Sequence, residues 1–139
     1  MQESRETTER SIGMVQRLPS EVVAGWSERE GPVVVTTVDA GGVPNSIYAS
    51  IVHLSADGRI SIADNYFDKT AENIAGGTPV AVLFITRNKK AYQIKGTFDY
   101  HTGGPLYQEM LEWADPKYPR KGVALLNPDT VYQGSEKLL

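Results

Sequence analysis

A chain of 139 residues, 40% of them apolar and 22% charged, is long enough to bury a core as one domain without staples, and its formal charge of -3 gives neither nucleic acid nor an anionic membrane a basic surface to bind. The absence of cysteine excludes disulfides, thiolate nucleophiles, cysteine-ligated zinc and cysteine-held iron–sulfur clusters. Every apolar run is too short for a transmembrane helix and the polar N-terminus has no signal-peptide core, so a cytoplasmic location with no membrane partner is expected.

Residues 1–17 are charged and polar and read as an arm, loose or ordered only against a partner chain, ahead of one domain over residues 18–139. Pro19-Ser20-Glu21 opens a helix whose Val22, Val23 and Trp26 form an apolar stripe, and Gly31-Pro32 closes it. Residues 33–38 are almost continuously β-branched and predict a buried strand, with Ala40-Gly41-Gly42 as the turn that follows. Residues 45–54 read as the next strand, with Ile47, Ala49 and Ile51 on one side and Tyr48, Ser50 and Val52 on the other. Asp57-Gly58 marks a hairpin back into a strand over residues 59–63, where Ile60 and Ile62 share a face. Tight turns between three successive strands mean an antiparallel meander rather than βαβ units.

Beyond residue 63 the period changes from two to that of a helix. Ala71, Ile74 and Ala75 fall on one helical face, Asp68 fits an N-cap and Gly76-Gly77 a stop. Lys69 and Thr70 stand in the first turn beside free backbone amides, a combination that suits a bound phosphate or carboxylate. An ordinary capped helix with a solvated lysine accounts for the same residues, and the chain has neither a glycine-rich phosphate loop nor a dinucleotide fingerprint to decide between them.

Residues 80–85 form a further buried strand and residues 87–90 a basic turn, after which residues 92–99 alternate as a strand with one wet face. From Pro105 a helix places Leu106, Met110 and Trp113 on one face and ends before Pro116. Residues 117–121 make an irregular basic connection containing Tyr118, and residues 122–126 and 130–133 supply closing strands. Six or seven evenly spaced strands with about three helices predict a mainly β chain whose antiparallel strands curl into a small barrel. His53 and His101 lack zinc-site spacing, carboxylate pairs such as Asp64 with Asp68 are of an ordinary kind, and no nucleophile elbow occurs, so neither a metal site nor a hydrolase is expected.

This succession, with Lys69-Thr70 opening the central helix, resembles the FMN-binding split barrel of the pyridoxamine 5'-phosphate oxidase-like superfamily, and within it the small flavin-nucleotide-binding branch. The likeness runs from about Leu18 to Gln133 and is nearest between Pro44 and Gly96. The resemblance implies a six- or seven-stranded antiparallel split β-barrel that forms a homodimer with FMN in a cleft between subunits. It further implies that Tyr48, Ala49 and Ser50 run beneath the flavin, that Ile62, Ala63 and Asp64 offer it backbone contacts, and that Lys69 with Thr70 holds the phosphate. A point charge, a hydroxyl and helix amides are chemically suited to a dianionic phosphate.

Departures from the family pattern bound the activity. Asp68 stands where the true oxidases carry an arginine, residues 47–52 include no basic side chain, and no arginine follows Arg120 and no histidine follows His101. Efficient oxidation of pyridoxamine phosphate is therefore not expected. The expected function is an FMN-binding flavoprotein with a redox or electron-transfer role, an FMN-dependent oxidoreductase if there is turnover, with Lys95 or the basic turn at residues 87–90 as sources of positive charge near the ring. The alternative is a binder of FMN, pyridoxal phosphate or another phosphorylated aromatic compound for storage, sensing or delivery.

Overall fold

The computed structural model describes residues 17–139, so the arm expected at residues 1–17 lies outside the described residues apart from Arg17. The chain forms α1 (Ser20–Trp26), β1 (Val33–Val38), β2 (Pro44–Ala49), β3 (Val52–Leu54), β4 (Ile60–Asp64), α2 (Lys69–Ala75), β5 (Val80–Ile85), β6 (Ala91–His101), α3 (Gly104–Trp113), β7 (Gly122–Gln133) and β8 (Glu136–Lys137). The strands pair antiparallel in the order β2-β1-β5-β6-β7-β4-β3, with β8 beside β7. The two ends of that path are consecutive in the chain, separated only by Ser50 and Ile51. A sheet whose outermost strands are joined by so short a link has to curl, and it does so into a half-barrel.

Here the strand expected over residues 45–54 is corrected. Its inward face changes phase at Ile51-Val52, from Ile47 and Ala49 to Val52 and Leu54, and β2 pairs with β1 from Val33↔Ala49 to Val38↔Pro44 while β3 pairs with β4 from Val52↔Ile62 to Leu54↔Ile60. The chain leaves one edge of the sheet and joins the other, and the break at Ser50 and Ile51 is where the ladder changes partner. The two strands expected at residues 122–126 and 130–133 are also one, β7, which carries Pro128 in its interior. Register along β6 and β7 steps from Lys95↔Thr130 to Gly96↔Pro128, leaving Asp129 as the extra residue of a bulge. Pro128 is tolerated because the bulge accommodates it and because Gly96 opposite has no side chain: a Cβ there would lie 1.9 Å from the Asn127 carbonyl oxygen.

Inward-facing Val33, Val35, Ile62, Val82, Ile94 and Val131 are fully buried and form the heart of the core. α1 covers it with Val22, and Trp26 meets Phe84 edge to face at 5.2 Å between ring centroids. A smaller cluster of Ala63, Met110, Ala114 and Val123 lies under α3, where Trp113 stacks on His53 at 5.0 Å.

α2 has the expected bounds but a different inner face. Thr70, Asn73 and Ile74 are buried and Ala75 is exposed. The reason is the surface it packs on: Asn73 Nδ2 donates to Thr37 Oγ1 of β1 at 2.9 Å, and Asn45 Nδ2 of β2 donates to Thr70 Oγ1 at 3.1 Å. Polar groups of the sheet select polar partners on the helix, because a buried amide left unpaired costs about 1–3 kcal/mol. Asp68 occupies the N-cap position without a side-chain capping hydrogen bond.

Candidate functional site

The corner where β2 passes into β3 leaves backbone and side chains facing a pocket of about 280 Å³. Residues 47–51 form one side, Ala63 the floor at the end of β4, and residues 65–67 with Tyr118 the other side. No charged side chain lines it. Tyr48 and Tyr66 at its mouth are 77% and 74% exposed, unusual for aromatic residues that have nothing else to cover. Walls of this kind suit the flat, uncharged part of an aromatic ligand.

The residues expected at the site divide into two groups. Tyr48, Ala49, Ser50 and Ala63 line the pocket. Ile62 alternates with Ala63, so its side chain is fully buried in the core and only its backbone faces outward past β4. Asp64 is 2% exposed and its carboxylate turns into the loop that follows. Lys69 and Thr70 lie outside the pocket lining, at the start of α2. Lys69 is half-exposed with Glu72 Oε1 3.4 Å from its ammonium, whereas Thr70 is buried against Asn45. β2 connects the groups: from Asn45, bonded to Thr70, to Tyr48 in the pocket wall the strand rises about 10 Å at roughly 3.3 Å per residue.

The far wall was only partly visible in the sequence. Asn65, Tyr66, Phe67 and Tyr118 complete the pocket, and their segment is held by a polar network. Asp64 Oδ1 accepts the Phe67 N–H at 2.9 Å, its Oδ2 accepts the Tyr100 hydroxyl, and Lys121 Nζ stands 3.8 Å from Oδ1. Lys121 also donates its backbone N–H to the Asp64 carbonyl at 2.8 Å and its ammonium to the Phe67 carbonyl at 3.3 Å. The next residue back repeats the pattern, with the Arg120 N–H donating to Asn65 Oδ1 at 3.0 Å and the Tyr107 hydroxyl donating to the Arg120 carbonyl at 3.0 Å. Burial and the adjacent Asp64 carboxylate together push the Tyr100 hydroxyl far above the usual tyrosine range, so it stays a donor. An aspartate followed by a polar turn is the one local signal of this anchor, since Tyr100 on β6 and Lys121 just before β7 are distant in the chain.

The basic residues weighed as charge near a ring stand elsewhere. Arg87 pairs with Glu28 at 3.0 Å, Lys89 with Glu30 at 2.9 Å, and Lys95 lies over the Tyr132 ring at 5.3 Å, and none of them lines the pocket. Among the described residues no group of three His, Asp or Glu side chains converges as a metal site, and no helix is long and apolar enough to cross a membrane.

A family model described as pyridoxamine 5'-phosphate oxidase matches residues 19–133, which spans α1 to the end of β7. The chain belongs to that family. The uncharacterized protein MJ0282 of Methanocaldococcus jannaschii is 32% identical over 106 residues covering 72% of this chain and 70% of its own. Two solved structures share the fold of this family member. An FMN-binding protein from Syntrophomonas wolfei matches 96% of this chain and 93% of its own with 19% identity and a TM-score of 0.66. HutZ, the heme storage protein from Vibrio cholerae, matches 85% of this chain and 95% of its own with 17% identity and a TM-score of 0.60. At these identities the likeness is one of fold.

Proposed function

We propose that this family member is an FMN-binding flavoprotein with a redox or electron-transfer role, its flavin ring in the pocket at the β2–β3 corner and its phosphate at the start of α2. The observation that carries the reading is an uncharged aromatic pocket walled by Tyr48 of β2, the strand whose Asn45 is bonded to Thr70 beside the half-exposed Lys69. In this reading Tyr48, Ala49 and Ser50 lie beneath the ring, Ile62, Ala63 and Asp64 offer it backbone groups, and Lys69 meets the phosphate. Thr70, buried and accepting from Asn45, fixes the first turn of α2 beside Lys69. The fold shared with the FMN-binding protein of Syntrophomonas wolfei supports the choice of flavin.

When bound, FMN supplies the capacity to take up a hydride or electrons at its ring, and the chain's part is to bind, orient and shield it. The pocket lining offers no carboxylate, histidine or amine as a proton donor, so its residues act by shape, stacking and backbone contacts. A pocket of about 280 Å³ lies at the small end for ligand sites, which run from roughly 300 Å³ upward, and leaves one side of a bound ring to be covered. A second copy of the chain provides that cover. On the outer face of the sheet Val34 lies between Tyr48 and Leu83 in register, with Tyr48 77% and Leu83 and Ile85 each 40% exposed, an apolar row continuous with the pocket mouth.

The absence of an acid or base from the lining also favours the alternative in which FMN or another phosphorylated aromatic compound is held without turnover. One titration separates the readings. The purified apo-protein is titrated with FMN, riboflavin and heme, and the complex formed is then mixed with a nicotinamide donor. Tight FMN binding, weaker riboflavin binding and bleaching by the donor are expected, while binding without bleaching selects the storage or delivery reading. Binding of heme with no flavin bound would refute both.

A further inference from the structure

The pocket's outer wall, residues 65–67, has no regular secondary structure of its own, yet it has to present Tyr66 and Phe67 in fixed positions. Three groups on different elements hold it: the buried Asp64 carboxylate, the Tyr100 hydroxyl on β6 and the Lys121 ammonium before β7. Asp64 is the hub. One oxygen takes the Phe67 amide and the other takes Tyr100, so the carboxylate ties the end of the wall to a strand on the far side of β7. Space is reserved for this contact, because Gly122 faces the phenol and a Cβ there would stand 2.4 Å from the Tyr100 hydroxyl oxygen and 2.5 Å from its Cζ. Tyr100 is 36% exposed, so the pair is held by its hydrogen bond and by the fit against Gly122, and ligands gain affinity from sites already ordered before they arrive.

We propose that Asp64 and Tyr100 are a positioning pair that holds the Tyr66–Phe67 wall in its ligand-receiving form. The proposal rests on the reading of this pocket as the flavin site. The pair acts through the wall, with no contact to the ring required. Loss of the Tyr100 hydroxyl leaves a nearly isosteric side chain in place and removes only the tie, so the wall samples open forms and binding has to reorder it.

Tyr100→Phe is compared with wild type and with Tyr92→Phe, which removes a similar tyrosine–carboxylate hydrogen bond, to Glu21 at 2.9 Å, beside α1 and away from the pocket lining. Two quantities are measured: the Kd for FMN by flavin fluorescence, and the hydrogen-exchange rate of the Phe67 amide in the apo-protein. Tyr100→Phe is expected to raise the Kd about tenfold and to speed exchange at Phe67, while Tyr92→Phe leaves both unchanged even where it lowers the melting temperature. An unchanged Kd or an unchanged Phe67 rate in Tyr100→Phe overturns the proposal, as does an equal loss of affinity in Tyr92→Phe. Should the wild type take no FMN, the flavin reading falls, and the Phe67 exchange rate alone then decides whether the pair orders the wall.

Discussion

Replacing Lys69 by Ala separates binding from folding more cleanly than any other change at the site. In the free protein Lys69 is 49% exposed, and its ion-pair partner is Glu72, 66% exposed and one helical turn on at 3.4 Å. An exposed pair of this kind contributes roughly 0–1 kcal/mol to stability, and alanine is the better helix former, so the two changes largely offset and the melting temperature should barely move. In the proposed complex the same ammonium meets a dianionic phosphate. A charge-assisted contact contributes about 1.5–3 kcal/mol, and since 1.4 kcal/mol is one decade in Kd, FMN affinity should fall by roughly 10- to 150-fold. Apo wild type and Lys69→Ala are titrated side by side with FMN and with riboflavin, which has the same ring and no phosphate. The expected outcome is a large loss for FMN and none for riboflavin. An FMN Kd within a factor of about two of wild type, or an equal loss for both ligands, would refute the phosphate assignment.

Gly96→Ala places a methyl group 1.9 Å from the Asn127 carbonyl oxygen and 3.1 Å from Pro128 Cα, all backbone, so chemical denaturation should show a loss of about 3 kcal/mol or more, and near-wild-type stability would mean the bulge relaxes freely. Leu83→Asp changes a 40% exposed side chain on the outer sheet face, so sedimentation should report single chains with near-normal thermal stability, against a dimer in the wild type. The folded state raises the Tyr100 pKa, chiefly by burial and then through Asp64, so neutral Tyr100 favours folding up to the ordinary value of about 10 and that contribution declines as the pH rises from there toward the raised folded value. Urea melts below and above about pH 10 should therefore show a steeper alkaline loss for wild type than for Tyr100→Phe, and equal slopes would contradict the burial of this hydroxyl.

What the sequence revealed and what it hid follow from the range of the forces involved. The spans of β1, β5 and α2 could be read from residues 33–38, 80–85 and 69–75 because each is bounded by local signals, a β-branched run or a helix between Asp68 and Gly76-Gly77. The break at Ser50 and Ile51 carries a fainter signal, the adjacent apolar pair Ile51-Val52 that shifts the alternation by one residue, while the change of partner is imposed by closure of the sheet. Pro128 misled for a related reason, since a proline argues against a strand until the glycine opposite it, some thirty residues earlier, is known to be its neighbour. At the candidate site, Tyr48, Ala49, Ser50 and Ala63, expected through a resemblance, line the pocket. The anchoring of residues 65–67 by Tyr100 and Lys121 was illegible, because hydrogen bonds between residues far apart in the chain leave no periodic trace. Thr70 shows the same limit in the helix, where a polar residue turns inward because Asn45 and Thr37 wait for polar partners on α2.

The central claim, that two copies of this chain enclose FMN at the β2–β3 corner, is tested most directly by native mass spectrometry of the purified protein read together with its visible absorption spectrum. The account predicts a yellow species with the mass of two chains plus bound flavin mononucleotide. Colourless single chains that persist after incubation with excess FMN would contradict it.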